Sequence, residues 1–357
     1  MRSFHSSSLL LALETSCDET SAAVLQGSML LSNVISSQTV HQRYGGVIPE
    51  LASRAHLESI VPIATEALRQ AQCKITDVDG LAVTAYPGLA GALVVGSNVA
   101  KGIALRYGLP LVAVNHIEGH IFSACVEHGE LPFPFLALVV SGGHTSLFAV
   151  RSFESYEVIG STRDDAAGEA FDKIAKLIGL GYPGGAKIDA LARRGNPHAI
   201  AFPRAMMHVR EDRRDYYDWS FSGLKTAVRN YVYAQYPKDR FPAGIPEEHL
   251  PDVAASAQEA IADVLVAKTM RAVDAFGIQT LVVAGGVAAN SRLRALLREQ
   301  ALKRGLTVIL PSMQLCTDNA AMIGYVGRMK LLAGVNHGVH FAVSSAALRA
   351  ALRPKQA

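Results

Sequence analysis

Short aliphatic runs, closed by glycine turns and followed by helix-sized segments, recur along this chain. Leu9-Leu10-Leu11-Ala12-Leu13 reads as a buried strand, and Ser21-Ala22-Ala23-Val24-Leu25 as its hairpin partner. From Glu50 to Gln72 apolar residues return at helical spacing (Leu51, Ala55, Leu57, Ile60, Val61, Ala64, Leu68), which predicts an amphipathic helix with a kink or break at Pro62. Gly80 to Thr84 predicts a strand. A helix of small residues follows from about Gly91 to Tyr107, stopped by Gly108 and Pro110. The next strand, Leu111 to Val114, feeds directly into Asn115-His116-Ile117-Glu118-Gly119-His120.

The prolines of Leu131-Pro132-Phe133-Pro134 break either regular structure and place a domain boundary there, after which the pattern restarts. A strand over 135–140, the turn Ser141-Gly142-Gly143-His144 and a strand over 145–150 echo the first hairpin. A helix is expected from near Asp164, then the turn Gly181-Tyr182-Pro183-Gly184-Gly185, with polar connectors over 196–220 and 239–251. Val253 to Phe276 predicts a long helix ended by Gly277. Gln279 to Val283 is a strand, Ser291 to Arg304 a helix ended by Gly305, and Leu306 to Leu310 a further strand. This alternation argues an α/β architecture with parallel strands in the second half. The expected halves are 9–134 and 135–357, with a final helix from about 317 packing back on the first half.

Composition narrows the class. A chain of 357 residues suggests two domains or three. It is 50% hydrophobic and 18% charged, as in a well-packed globular enzyme. No stretch approaches the ~18 apolar residues of a membrane span, and Leu9 to Leu13 is too short for a signal-peptide core, so a cytoplasmic protein is expected. Cys17, Cys73, Cys125 and Cys316 lack paired spacing, consistent with a reducing compartment. A net charge of +3 leaves no electrostatic footprint for nucleic acid.

Against this background the histidines stand out. On a helix, His116 and His120 share one face, a turn apart, and can reach one ion; taken alone, they can equally sit on a solvated face. The turn Ser141-Gly142-Gly143 can converge backbone N–H groups on an anion, or be an ordinary hairpin. Gly285-Gly286 before Asn290-Ser291 offers a helix N-terminus for an adenosine phosphate, although those two residues can be plain caps. Asp164, Asp165, Glu169, Asp172 and Lys173 crowd one helix start, as dipole partners or as ligand contacts. No Walker sequence is present.

These segments together closely resemble the tRNA N6-adenosine threonylcarbamoyltransferase family of bacteria, once called O-sialoglycoprotein endopeptidases or glycoproteases. The resemblance runs from Leu11 to about Gly334 through LETSCDETS, GGVIPELASRAH, HIEGH, VSGGHTSL, DDAAGEAFDK, GYPGG, FSGLKTA, AGGVAAN and CTDNAAMIGY. Asn115 and Ala55 depart from residues common in the family, and 1–8 and 338–357 lie outside the resemblance. The resemblance implies the two-domain fold of actin, sugar kinases and heat-shock ATPases, with ligand in a cleft between halves. Its metal ligands fall on His116, His120 and Asp318, for one divalent ion, iron(II) ahead of zinc(II). Its substrate contacts fall on Val139, Val140, Ser141, Gly142, Gly143, Asp172, Gly185, Asp189 and Asn290.

The implied reaction moves the threonylcarbamoyl group of L-threonylcarbamoyl-AMP to N6 of adenosine 37 in tRNAs reading codons that begin with A. The implied partners are tRNA, a smaller paralogous subunit and a P-loop ATPase, with no membrane. Arg193, Arg194, Arg204, Arg210, Arg213 and Arg214 are candidates for docking tRNA. Two rivals use the same residues. A metalloendopeptidase would use Glu118 between the histidines, but the H-E-x-x-H order is absent. An ATP-dependent chaperone or kinase-like ATPase would hold magnesium through carboxylates and water rather than histidine.

Overall fold

The computed structural model describes residues 4–242 and 244–346. The chain divides into two compact units, Met1–Leu131 with Pro311–Ala357, and Pro132–Leu310. In the first, the buried strand β1 (Leu9–Glu14) pairs antiparallel with β2 (Glu19–Gln26), which pairs antiparallel with β3 (Met29–Ser37). Helix α1 (Pro49–Gln70) leads to β4 (Gly80–Tyr86), and α2 (Ala90–Tyr107) to β5 (Leu111–Asn115). Both strands join the sheet in parallel, giving the order β3-β2-β1-β4-β5. Then come α3 (His116–Phe122) and α4 (Cys125–His128).

The second unit repeats that plan. Strands β6 (Phe135–Val140), β7 (Thr145–Val150) and β8 (Tyr156–Ser161) pair antiparallel. After α5 (Ala167–Leu177), α6 (Gly185–Ala192), α7 (Ser222–Gln235) and α8 (Leu250–Phe276), strand β9 (Thr280–Ala284) returns parallel to β6. Helix α9 (Ser291–Arg304) leads to β10 (Thr307–Ile309), parallel to β9. The order β10-β9-β6-β7-β8 matches the first sheet strand for strand. The echo between the two hairpins is therefore a shared topology. The chain re-enters the first unit with α10 (Met313–Cys316) and α11 (Ala320–Leu332).

Several local expectations shift. Helix α1 runs unbroken through Pro62. Proline removes one N–H and its bond to the carbonyl four residues back, but Glu58 and Pro62 are both exposed, on a side of the helix where solvent can meet that carbonyl. Helix α5 starts at Ala167 rather than near Asp164. The Asp164 carboxylate instead accepts Phe221 N–H at 2.7 Å, Ser222 N–H at 3.3 Å and the hydroxyls of Ser220 and Ser222, satisfying donors at the start of α7. Strands β3 and β8 and helix α7 had no counterpart in the sequence reading.

The irregular stretch 196–220 is tied down on α8. Lys268 Nζ donates to Tyr216 O at 2.7 Å, Trp219 Nε1 to Val264 O at 3.1 Å, and Arg271 to Met207 O. Trp219 and Lys268 are completely buried. Among the described residues no helix is long and apolar enough to cross a membrane.

Candidate metal centre and ligand turns

Asn115 ends β5 and caps α3: its Oδ1 accepts Ile117 N–H at 2.8 Å and Glu118 N–H at 3.4 Å. The next turn of helix carries both histidines, with ring centroids 4.7 Å apart and planes at 85°. Gly119 sets how close this helix comes to α11. A Cβ there would lie 2.9 Å from Ile323 Cδ1 and 3.1 Å from Met322 Cγ, so glycine permits the approach. That approach brings Asp318, just ahead of α11, to the histidines. Its Oδ1 lies 3.0 Å from His120 Nε2 and 3.5 Å from His116 Nε2, and the candidate donor atoms of the three residues lie within 4.8 Å of one another.

The electrostatics suit a cation. Burial alone would push Asp318 up, but the two imidazoles outweigh it and hold its carboxyl well below the usual range. Burial would push His116 down, but Asp318 and Glu14 outweigh it, and the ring titrates well above an ordinary histidine. Two imidazole nitrogens and one carboxylate oxygen converging at this range are a donor set that can hold one divalent metal ion.

Glu118 takes no part in this convergence. It is buried and bonded to Lys330 Nζ at 2.5 Å, tying α3 to α11. A carboxylate held by an ammonium is poorly placed to act as the base of a peptidase.

Of the sequence-assigned ligand residues, Val139 to Gly143 lie at and just beyond the end of β6 and Asn290 after β9, while Asp172 lies on α5 and Gly185 and Asp189 on α6. Val139 and Val140 have fully buried side chains, so only backbone there can meet a ligand. Ser141 N–H donates to His144 O at 2.8 Å, and Ser141 Oγ accepts His144 N–H at 3.1 Å. Gly142 and Gly143 are exposed and adopt no positive φ, and a Cβ on either would meet open space. Their lack of side chain is thus not explained by the turn itself.

Gly285 is different. It has φ +92°, and a Cβ would lie 2.3 Å from Val140 O, so it presses the second glycine turn against the end of β6. Asp172 Oδ1 accepts Gly184 N–H at 2.7 Å, beside Gly185 at the start of α6. Asp189 Oδ1 accepts Ser291 N–H at 3.1 Å and Ser291 Oγ at 2.7 Å. Asn290 caps α9 through Leu293 N–H at 3.0 Å and donates to Gln258 at 2.7 Å. Of the remaining clustered charges, Asp165 and Glu169 pair with Lys173 at 2.6 and 2.8 Å.

The arginines proposed for tRNA are largely spoken for. Arg193, Arg204, Arg210 and Arg213 pair with Asp189, Asp263, Asp212 and Asp215. Glu14, at the end of β1, was missed as a site residue. Its signal was an acidic residue directly after five aliphatics of a buried strand, an expensive place for a carboxylate.

A two-unit α/β protein in which the same mixed five-stranded sheet occurs twice has the fold of actin, sugar kinases and heat-shock ATPases. HypF of T. kodakarensis superimposes with a TM-score of 0.58 at 13% identity, covering 95% of this chain and 50% of that one. Component A of the (R)-2-hydroxyglutaryl-CoA dehydratase of Acidaminococcus fermentans gives 0.51 at 14% identity, covering 91% and 98%. At such identities the likeness shows the fold alone.

Within that class the chain belongs to the tRNA N6-adenosine threonylcarbamoyltransferase (TsaD) family, whose sequence model matches residues 29–325. The protein of that name from Syntrophotalea carbinolica is 52% identical over 328 residues, 91% of this chain and 92% of its own. Its namesake in Clostridioides difficile is 50% identical, covering 92% and 95%.

Proposed function

We propose that this enzyme transfers the threonylcarbamoyl group from L-threonylcarbamoyl-AMP to N6 of adenosine 37 in tRNAs reading codons that begin with A, releasing AMP. The observation that carries the reading is the convergence of His116, His120 and Asp318 in a chain half-identical to transferases of that name. His116, His120 and Asp318 would hold one divalent ion, iron(II) ahead of zinc(II), because two histidines and a carboxylate with open positions form the usual iron(II) set. Once bound, the ion supplies Lewis-acid neutralisation of the charge that develops as the anhydride breaks.

The chain's own groups bind and orient the donor. The Ser141-Gly142-Gly143 turn takes its phosphate through the exposed backbone of the glycines, since Ser141 N–H donates to His144 O, and the Gly285-Gly286 turn with Asn290 takes the adenine side. Asp172 and Asp189 take donor hydroxyls, and Gly185 lends backbone at the start of α6. Holding the donor in a fixed pose lowers the barrier by orientation. Chelation and reloading of metal in a reconstituted transfer assay on tRNA test the reading.

The partners follow the same assignment: tRNA as acceptor, a smaller paralogous subunit and a P-loop ATPase. For the paralogue we propose the face of α1 and α2. There Leu57 and Val61 of α1 and Val94 and Leu105 of α2 stand 65%, 59%, 43% and 71% exposed, apolar area that water alone does not favour.

A further inference from the structure

Strand β1 ends in a carboxylate that the chain surrounds with donors. Glu14 is completely buried. Its Oε1 accepts the Ser16 N–H, while Oε2 accepts Thr84 Oγ1 at 2.5 Å and meets His116 Nδ1 at 3.1 Å. Ser16 Oγ lies 3.1 Å from the same ring nitrogen. An ionised carboxylate only accepts, so Nδ1 of His116 carries a hydrogen, and Nε2 is the ring nitrogen left to serve a metal ion in place of its own proton. That is the atom 3.5 Å from Asp318 Oδ1.

His120 is held differently. Its Nε2 also faces Asp318, but its Nδ1 is buried with no hydrogen-bond partner among the described residues. One ligand is therefore braced from behind by a network running through β1 and β4, and the other has no hydrogen bond behind it at Nδ1 among the described residues.

We propose that Glu14 is the positioning residue of the metal centre, fixing the tautomer and ring plane of His116 so that Nε2 is presented as a donor. This role rests on reading His116, His120 and Asp318 as metal ligands. Ser16 and Thr84 in turn hold the carboxylate in place, which explains why a charged side chain ends an otherwise aliphatic strand. A carboxylate behind a ligating histidine also raises the donor strength of the far nitrogen. The amide of Glu14→Gln cannot reproduce this. It must either oppose the Ser16 N–H with its own NH2 or turn that NH2 toward His116 Nδ1, moving the ring proton to Nε2.

The test is metal titration of full-length, metal-free protein with cobalt(II) and zinc(II), comparing wild type, Glu14→Gln and Glu14→Ala. Thermal melting of the metal-free forms runs in parallel. Loss of such an outer partner lowers affinity by about 10- to 100-fold. We expect Glu14→Ala in that range, Glu14→Gln near its lower end, and a changed visible cobalt(II) spectrum in both. Glu14→Gln keeps the shape of the side chain and decides the matter if the truncation unfolds. Wild type that binds metal while Glu14→Gln binds within twofold of it, with the same spectrum, overturns the positioning role and leaves the metal centre standing. Wild type that binds neither ion overturns both.

Discussion

His120 Nε2 stands 3.0 Å from Asp318 Oδ1, although 198 residues separate them in the chain. The contact depends on two devices. Asn115 starts the short helix α3 at the end of β5, and Gly119 lets that helix lie close against α11. The candidate metal site is thus completed only where the chain returns from the second unit to the first.

Gly119→Val tests that linkage. The added carbons meet Ile323 and Met322, and overpacking of this kind costs about 1–3 kcal/mol. Urea unfolding should show that loss, and metal titration a weaker site. An unchanged midpoint and affinity would mean the approach of α3 to α11 is not limited by this glycine.

The two glycine turns should separate stability from binding. Gly285→Ala places a Cβ against Val140 O at positive φ, for a destabilisation of about 2 kcal/mol or more. Gly142→Ala and Gly143→Ala enter open space and should leave unfolding within about 0.5 kcal/mol of wild type. Both should raise the KM for the threonylcarbamoyl donor with stability intact. Unchanged KM would remove this turn from the donor site.

Lys268 gives a pH signature. Burial, with Arg271 adding to it, lowers its pKa from 10.5 to about 8. Between those values the unfolded chain binds a proton that the folded chain does not, so stability rises with pH across that window and levels off above it. At about 1.4 kcal/mol per unit the rise amounts to about 3 kcal/mol. Urea midpoints at pH 7.5, 9 and 10 should climb relative to Lys268→Met. Parallel curves for the two proteins would contradict the assignment.

The partner face predicts a separation of its own. Leu57→Glu and Leu105→Glu alter exposed positions and should leave melting unchanged. In size-exclusion mixing with the purified paralogous subunit, the double variant should elute alone. Co-elution at the wild-type ratio would place the partner elsewhere.

What could be read beforehand divides along physical lines. Strand β1 was legible because five consecutive aliphatics have few alternatives to burial, and the histidine pair because its spacing is local. Asp318 was reached only through family resemblance, since no periodicity joins it to α3. Glu14 was illegible as a functional residue because its role arises where β1, β4 and α3 meet, a matter of tertiary packing. Asp164 misled for the same reason: its partners at 220–222 lie more than fifty residues on. Pro62 did not break α1, because it and Glu58 lie on the exposed side, where solvent can meet the carbonyl left without a donor.

The most direct test of the central claim is threonylcarbamoyl transfer to tRNA by the reconstituted enzyme, stripped of metal and then reloaded with iron(II) or zinc(II). The account predicts that stripping abolishes transfer, that reloading restores it to wild type, and that His120→Ala stays inactive throughout. Transfer at the normal rate by verified metal-free protein, or by His120→Ala without bound metal, would contradict it.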